Sequence, residues 1–371
     1  MKLFILLQLV SSLVSAKSPL PDISFSKTKS ASNTSIVISF NGDILIHDEL
    51  YKSVMKDPAH DFSKIWKKTF PLFEKADFSY ANLEGPTALG IDKFRKNKGD
   101  VGFKYDKIVY SGTDFLFNFH PKIIDDIKKS GIDIVSLANN HSYDRGSRGI
   151  DVTIDQMLKR DFPFIGVRKA ASKEPVYTLT QIKNFNVAWI ACTEALNGFK
   201  DKNYQLLFCN EQKEEIIALI KQLRTHDDID FILITPHWGI EYDDTPSILQ
   251  KNLARKFLEA GALAVVGSHP HVLQPVEKYI TKDKRETFIA YSLGNFVAHQ
   301  KNIERKASAT IYLEFTKTLN SDHTNNSKPI VTITHYNYEP TTRYKTEVFP
   351  ANHLPEVIKH VEKYLGKFSS Q

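Results

Sequence analysis

The stretch Ile134-Val135-Ser136-Leu137-Ala138-Asn139-Asn140-His141 decides how this chain reads. A short apolar run of the kind that forms a buried strand stops abruptly, and side chains able to hold a metal or move a proton follow at once. Four other segments do the same. Val37-Ile38-Ser39-Phe40 runs into Asn41-Gly42-Asp43, and 76–83 runs into Glu84. The run 231–235 leads to His237, and 264–266 leads to Gly267-Ser268-His269-Pro270-His271. Strands that each deliver an Asp, Glu, Asn or His from their ends are how a metal site is assembled from distant parts of a chain.

Each end has its own chemistry. His269 and His271 form the most specific local signal, because alternate residues of an extended segment face one side and both rings can reach one centre. Asp43, after a glycine that lets the backbone turn tightly, is a natural first ligand. His47 either points into the same cleft or opens the next helix from the surface. Glu84 stands where a bridging carboxylate would, or serves as a turn residue before Pro86. Asn140 can coordinate through its carbonyl oxygen, leaving His141 as an acid beside the bound group. His237 follows a buried strand directly, at the rim where sites form. Glu241 is the expected acceptor that orients it.

Helices are expected over 61–75, over 121–130 with Gly131 as cap, through Ile150, Ile154, Met157 and Leu158, over 214–223, from Pro246 to Gly261, and over 357–365. Further strands fall at 162–167, 187–192 and 288–292, and 308–349 turns to antiparallel extended segments. The Lys- and Gly-rich 90–112 has no period and reads as a long surface loop. A strand–ligand–helix rhythm of this kind implies α/β layering, not an all-β sandwich.

With 371 residues, 42% of them hydrophobic and 25% charged, the chain can bury a large core and is not globally disordered. Residues 1–16 read as a signal peptide: Lys2 begins it, an apolar run follows, and Val14-Ser15-Ala16 offers a cleavage site. Removing that leader, with Lys2 its single charge, lowers the formal charge from +6 to +5. No later stretch is long and apolar enough to span a bilayer. No basic block with interleaved aromatics points to nucleic acid. Residues 17–34 read as a flexible lead-in, 35–350 as the folded domain, and 351–371 as a closing helix and tail. Cys192 and Cys209 are the two cysteines, and an oxidising compartment lets them pair across the polar 193–208 loop. Asn33 and Asn325 lie in glycosylation sequons. Asn140 matches as well, but is expected to be buried in the site.

Six motifs stand in order: Asn41-Gly42-Asp43, Asn82-Leu83-Glu84, Ser136 to His141, Pro236-His237-Trp238-Gly239 with Glu241, Gly267 to His271 with Gln274, and Ser292-Leu293-Gly294-Asn295-Phe296. In that order they resemble the CapA family, the poly-γ-glutamate capsule synthesis proteins within the calcineurin-like metallophosphatase superfamily. The resemblance implies a four-layer α/β/β/α sandwich of metallo-dependent phosphatase type. It implies Asp43, Glu84, Asn140, His237, His269 and His271 as metal ligands, His141 as acid or transition-state stabiliser, and Asn139, Gln274 and Asn295 as supporting or substrate residues. One or two divalent ions, Zn, Mn or Fe, are the implied cofactor. The chain departs from phosphatases of that superfamily at Leu45, Glu84 and Ser142, where they carry His, Asp and an acidic residue. These departures point away from phosphoester chemistry and towards one tight metal site or two unequal ones. Three readings follow: a secreted hydrolase or transferase on an amide or ester, small or within an anionic polymer such as γ-linked polyglutamate; a non-catalytic accessory protein that binds polymer; or a phosphoesterase.

Overall fold

The computed structural model describes residues 23–26, 34–318 and 329–368. The expected leader, most of the lead-in, and Asn33 and Asn325 lie outside them. Of the lead-in, Ser26 donates to Glu286 and Lys278 donates to the Ser24 carbonyl, so this short piece docks on the body.

Two sheets form the centre. In chain order the strands are β1 Thr34–Ile44, β2 Phe78–Leu83, β3 Ile134–Ser136, β4 Phe164–Ile165, β5 Thr178–Ile182, β6 Phe185–Thr193, β7 Phe231–His237, β8 Ala264–Val266, β9 Val276–Ile280, β10 Glu286–Ala290, β11 Asn295–Val297, β12 Ser308–Thr318, β13 Ile330–Tyr344 and β14 Glu347–Pro350. The first sheet runs β14-β13-β12-β1-β2-β3-β4, with β11 added beside β1; the second runs β5-β6-β7-β8-β10-β9. The segments β1 to β4 and β6 to β8 with β10 pair in parallel, and the expected antiparallel region is the β12–β13–β14 meander.

The sheets pack face to face through rings. Phe40 and Tyr80 of the first sheet meet Trp189 of the second at 6.3 and 5.8 Å, and Phe231 stacks on Phe315 at 4.5 Å. Burying one such aromatic side chain contributes roughly 1.5–3 kcal/mol. Helices Lys213–Arg224 and Ile248–Ala260 cover the far face of the second sheet. Ile216, Ile220, Leu253 and Phe257 fill a core with Ile190, Ile232 and Val265. Helices Lys122–Lys129 and Gly146–Lys159 close the other side with Ile123, Ile127, Ile154 and Met157. The result is the expected four-layer α/β/β/α sandwich. The apolar runs of β6 and β7 reflect it, because a strand covered on both faces needs no polar alternation.

The expected helix over 61–75 is instead two 3₁₀ turns, Phe62–Ile65 and Lys67–Thr69, then one α turn, Phe70–Phe73. Phe62, Trp66 and Phe73 are all anchored in the core, and Pro71 has no amide to continue the ladder from Lys67, so a regular helix gives way to packing. The 162–167 strand shrinks to β4. The 90–112 segment is irregular as expected, but it is not merely surface: Tyr105 packs on Tyr51 and Phe103 on His120.

Parallel pairing brings the site together. β1, β2 and β3 end side by side, with Asp43 opposite Asn82 and Asn82 opposite Ser136. β7 ends at His237, which forms a parallel bridge with Ser268, two residues beyond the end of β8. The chain after β10 crosses from the second sheet to the first, and β11 pairs with β1 at Asp43 opposite Asn295. That crossing requires Gly42, where a Cβ would meet the Gly294 carbonyl oxygen at 2.0 Å.

Candidate metal centre

Asp43 and Glu84 are fully buried where β1 and β2 end. Asp43 Oδ1 accepts from Asn82 at 2.8 Å, while Oδ2 lies 3.3 Å from His271 Nδ1. Glu84 Oε1 lies 3.5 Å from His237 Nε2 and 3.6 Å from His271 Nε2. Two donor groups result, Glu84–His237–His269 and Asp43–Glu84–His271, each with its ligand atoms within 4.8 Å of one another. Glu84 belongs to both. Asn140 Oδ1 stands 2.9 Å from His237 Nε2, at the edge of the first group.

The donor set fits a divalent cation on its own chemistry. Asp43 Oδ2 and both Glu84 oxygens are buried and have no hydrogen-bond partner among the described residues. A buried polar group left so costs roughly 1–3 kcal/mol, and more when charged, unless a cation compensates it. Three imidazoles with two carboxylates suit Zn, Mn or Fe.

The electrostatics agree. Burial, reinforced by His237, pushes His269 down to about 2, so the ring is neutral and ready to ligate. Burial opposes charge on His271, yet Glu84 and Asp43 outweigh it and raise the ring to about 9. Without a metal, His271 is thus the proton-borne counter-charge to the two carboxylates. Burial works to raise Glu84, but His271 and His237 hold it well below the usual carboxylate range. His269 and His271 adopt φ of 102° and 58°, left-handed backbone that non-glycine residues rarely take and that clusters at functional sites.

Around these donors sits a supporting shell, part of which sequence reasoning missed. His237 Nδ1 is engaged by Ser268 at 2.9 Å and Asn82 at 3.3 Å. Glu241, expected to orient His237, is exposed and lies beside Tyr242 instead; the turn after Gly239 carries it away from the ring. Asn295 Oδ1 lies 3.0 Å from His271 Nδ1, and its amide donates to the His271 and Arg305 carbonyls. Gln274 ties the loops together, accepting from Gln250 and donating to the Asp243 carbonyl. Asn139 donates to the Leu83 carbonyl and accepts from the His141 amide, shaping the turn rather than facing the donors. Leu45 is buried and apolar. His47 is not in either donor group: its Nδ1 lies 3.2 Å from both the Leu45 carbonyl oxygen and the His299 amide nitrogen. Burial, then His271, lowers its pKa to about 4.

His141 lies beside the donors, edge-on to Phe117 at 4.6 Å. Its Nδ1 is 2.8 Å from Asp144 Oδ2, a partner three residues on that the spacing alone could have suggested. Burial opposes charge on this ring, and the Asp144 carboxylate more than offsets it, holding His141 above the ordinary imidazole range. The Phe117 amide fixes the same Asp144 oxygen at 2.7 Å. Buried Arg145 donates to the carbonyls of Ile91, Val109 and Leu116, pinning the irregular 90–118 segment behind the histidine.

The disulfide between Cys192 and Cys209 is formed as expected. It closes the loop carrying Asn197, whose Oδ1 accepts from Asn140 at 3.1 Å and whose amide lies 3.4 Å from His141 Nδ1. Asn140 is buried, so its sequon has no accessible amide. No helix among the described residues is long and apolar enough to cross a membrane.

Comparison with known proteins agrees with the sequence motifs. The profile of the family described as "Bacterial capsule synthesis protein PGA_cap" matches residues 37–300. The "PGA biosynthesis protein CapA" of Bacillus subtilis (strain 168) is 28% identical over 293 residues, spanning 78% of this chain and 70% of that protein. The "Capsule biosynthesis protein CapA" of Bacillus anthracis is 26% identical over 292 residues, spanning 76% of this chain and 64% of that one. Among solved structures, Haemophilus influenzae NAD nucleotidase aligns over 91% of this chain and 65% of its own at TM-score 0.48 and 12% identity. A Candida albicans 5'-nucleotidase covers 86% of this chain and 53% of its own, at 0.39 and 11%.

Proposed function

Because this chain belongs to the bacterial capsule synthesis protein family PGA_cap, we propose that it is a metal-dependent hydrolase or transferase of capsule biosynthesis. Its substrate on this reading is an amide or ester of an anionic polymer of the polyglutamate kind, and it works outside the cytoplasm. The observation that carries the chemistry is Glu84, fully buried with neither oxygen hydrogen-bonded and with two histidines facing it where two donor groups meet. A scaffold has no use for such a carboxylate. The names of the two Bacillus relatives support the substrate class, and the disulfide fits an oxidising compartment.

Glu84, His237 and His269 would hold one ion, and Asp43, Glu84 and His271 a second, with Asn140 as a further oxygen donor. A bound divalent ion would supply Lewis-acid polarisation of an acyl oxygen and an acidified water. The chain's own residues do the rest. Asp144 fixes the His141 ring through Nδ1 and favours its protonated form, which suits His141 to give a proton to the departing nitrogen or oxygen. Asn197 and Phe117 hold that ring between the disulfide-closed loop and the 90–118 segment.

The test is elemental analysis of the mature protein, followed by incubation with γ-linked polyglutamate and end-group analysis. One to two equivalents of a transition metal, with chain cleavage lost in His141→Ala while metal is retained, support the reading. No metal after incubation with Mn, Zn or Fe overturns it. Metal without cleavage, together with metal-independent polymer binding, replaces it with the accessory reading.

A further inference from the structure

Beside His271 stands a cation that none of the chemistry above uses. The Arg305 guanidinium lies 3.5 Å from the centroid of the Tyr242 ring, stacked on its face. The Tyr242 ring is in turn 6.1 Å from that of His271, so the cation sits one aromatic ring away from a metal-competent histidine. Among the described residues no carboxylate lies within ion-pair distance of Arg305.

The arrangement is built from both sides. Tyr242 is 41% exposed and takes a φ of 67°, a conformation that a bulky residue adopts only when its surroundings impose it. Its amide donates to the Pro270 carbonyl at 2.7 Å, which fastens it to the His269-Pro270-His271 turn. Glu241 and Gln300 lie beside its hydroxyl. On the other side, Asn295 donates both to the Arg305 carbonyl and to the His271 carbonyl while facing His271 Nδ1. One asparagine therefore sets the histidine and the backbone of the arginine together. Stacking orients the guanidinium and lowers the entropy lost when it binds, and its planar fork matches a two-oxygen anion.

We propose that Arg305, stacked on Tyr242, is a subsite for an oxyanion of the substrate, a carboxylate or phosphate carried a few bonds from the reacting group beside His271. Resting on the reading of the metal centre given above, it assigns the recognition of negative charge to one residue. It also explains why Tyr242 is left exposed: the ring is a platform.

The test is calorimetric binding of glutarate, inorganic phosphate and the neutral glutaramide to the full mature chain, in metal-loaded and metal-depleted form. The chains compared are wild type, Arg305→Ala, Arg305→Lys and Tyr242→Leu, with metal content and melting temperature measured for each. Arg305→Ala is expected to weaken glutarate binding by about tenfold or more, the worth of one charge-assisted hydrogen bond. Metal content and melting temperature stay unchanged, and glutaramide binding does not move. Arg305→Lys restores the charge without the fork and recovers binding in part; Tyr242→Leu removes the platform and weakens glutarate binding. If phosphate shows the same Arg305 dependence more strongly, the oxyanion is a phosphate; if glutarate does, a carboxylate. Equal glutarate and phosphate binding in wild type and Arg305→Ala overturns the subsite, as does a wild type that binds neither anion at millimolar concentration. A chain that takes up no metal yet shows Arg305-dependent anion binding overturns the metal centre and leaves the subsite standing.

Discussion

Glu84 is the carboxylate common to both donor groups, so its removal should abolish two ions where loss of any other ligand abolishes one. The perturbation is Glu84→Gln, which keeps the side-chain volume and removes the charge. Its size follows from linkage. At a metal concentration a hundredfold above Kd, each ion that binds only the folded chain adds about 2.7 kcal/mol of stability. Unfolding entropy of about 2.1 cal/mol/K per residue gives a folded region of this length about 0.7 kcal/mol/K, so each ion raises Tm by about 4 °C. Two ions raise it by about 8 °C. The assay is metal stoichiometry by elemental analysis with Tm measured against Mn or Zn concentration. His269→Ala should keep one equivalent and about half the shift, and Glu84→Gln should keep neither. The metal-free Glu84→Gln chain should melt lower than metal-free wild type, because the substitution removes a buried carboxylate that balances the charge on His271. Retention of a full equivalent by Glu84→Gln refutes the shared carboxylate.

Replacing both cysteines by Ser opens the 17-residue separation between Cys192 and Cys209 and should cost about 3 kcal/mol of unfolding free energy, read from denaturant curves; a loss well under 1 kcal/mol would show that the loop is held without the bond. Gly42→Ala drives a methyl into the Gly294 carbonyl and should destabilise by roughly 1–3 kcal/mol, with weaker metal uptake because Asp43 is the next residue; unchanged uptake and stability would contradict the close approach. His120 is half-buried, and desolvation depresses its pKa from 6.5 to about 4, while its Nδ1 accepts from the Lys122 amide. A depressed folded pKa means the neutral ring contributes stability above about 6.5 that is lost as pH falls through about 4. The urea midpoint should fall across that window, less steeply in His120→Asn, which can still accept from Lys122; identical profiles would remove His120 as the cause.

The layering, and the strand ends where candidate ligands gather, were legible in the sequence. Apolar runs such as 231–235 carry no polar alternation, which only a strand covered on both faces tolerates, and each such run ends in a side chain that has no business in a core. Those signals are local: periodicity, a strand end, a His-x-His spacing. The disulfide was legible too, because two cysteines allow one pairing. Tertiary structure alone decided how the ends are joined. That Asp43 faces Asn82 and Asn295 follows from strand register, and register is set by pairing between strands far apart in the chain. Glu84 has histidines on two sides because the C-terminal ends of both sheets meet there, and no window of sequence contains both. The supporting roles were hidden for the same reason. Ser268 beside His237, Asn197 beside His141 and Arg305 over Tyr242 are each unremarkable residues in their own segments, and only the fold brings each to its neighbour. Local propensity also misread 61–75, where the anchoring of Phe62, Trp66 and Phe73 outweighs helix formation. Secondary structure responds to nearest neighbours, whereas a metal centre depends on atoms from five strand ends converging within a few ångströms, and that convergence is a property of the packed sheets.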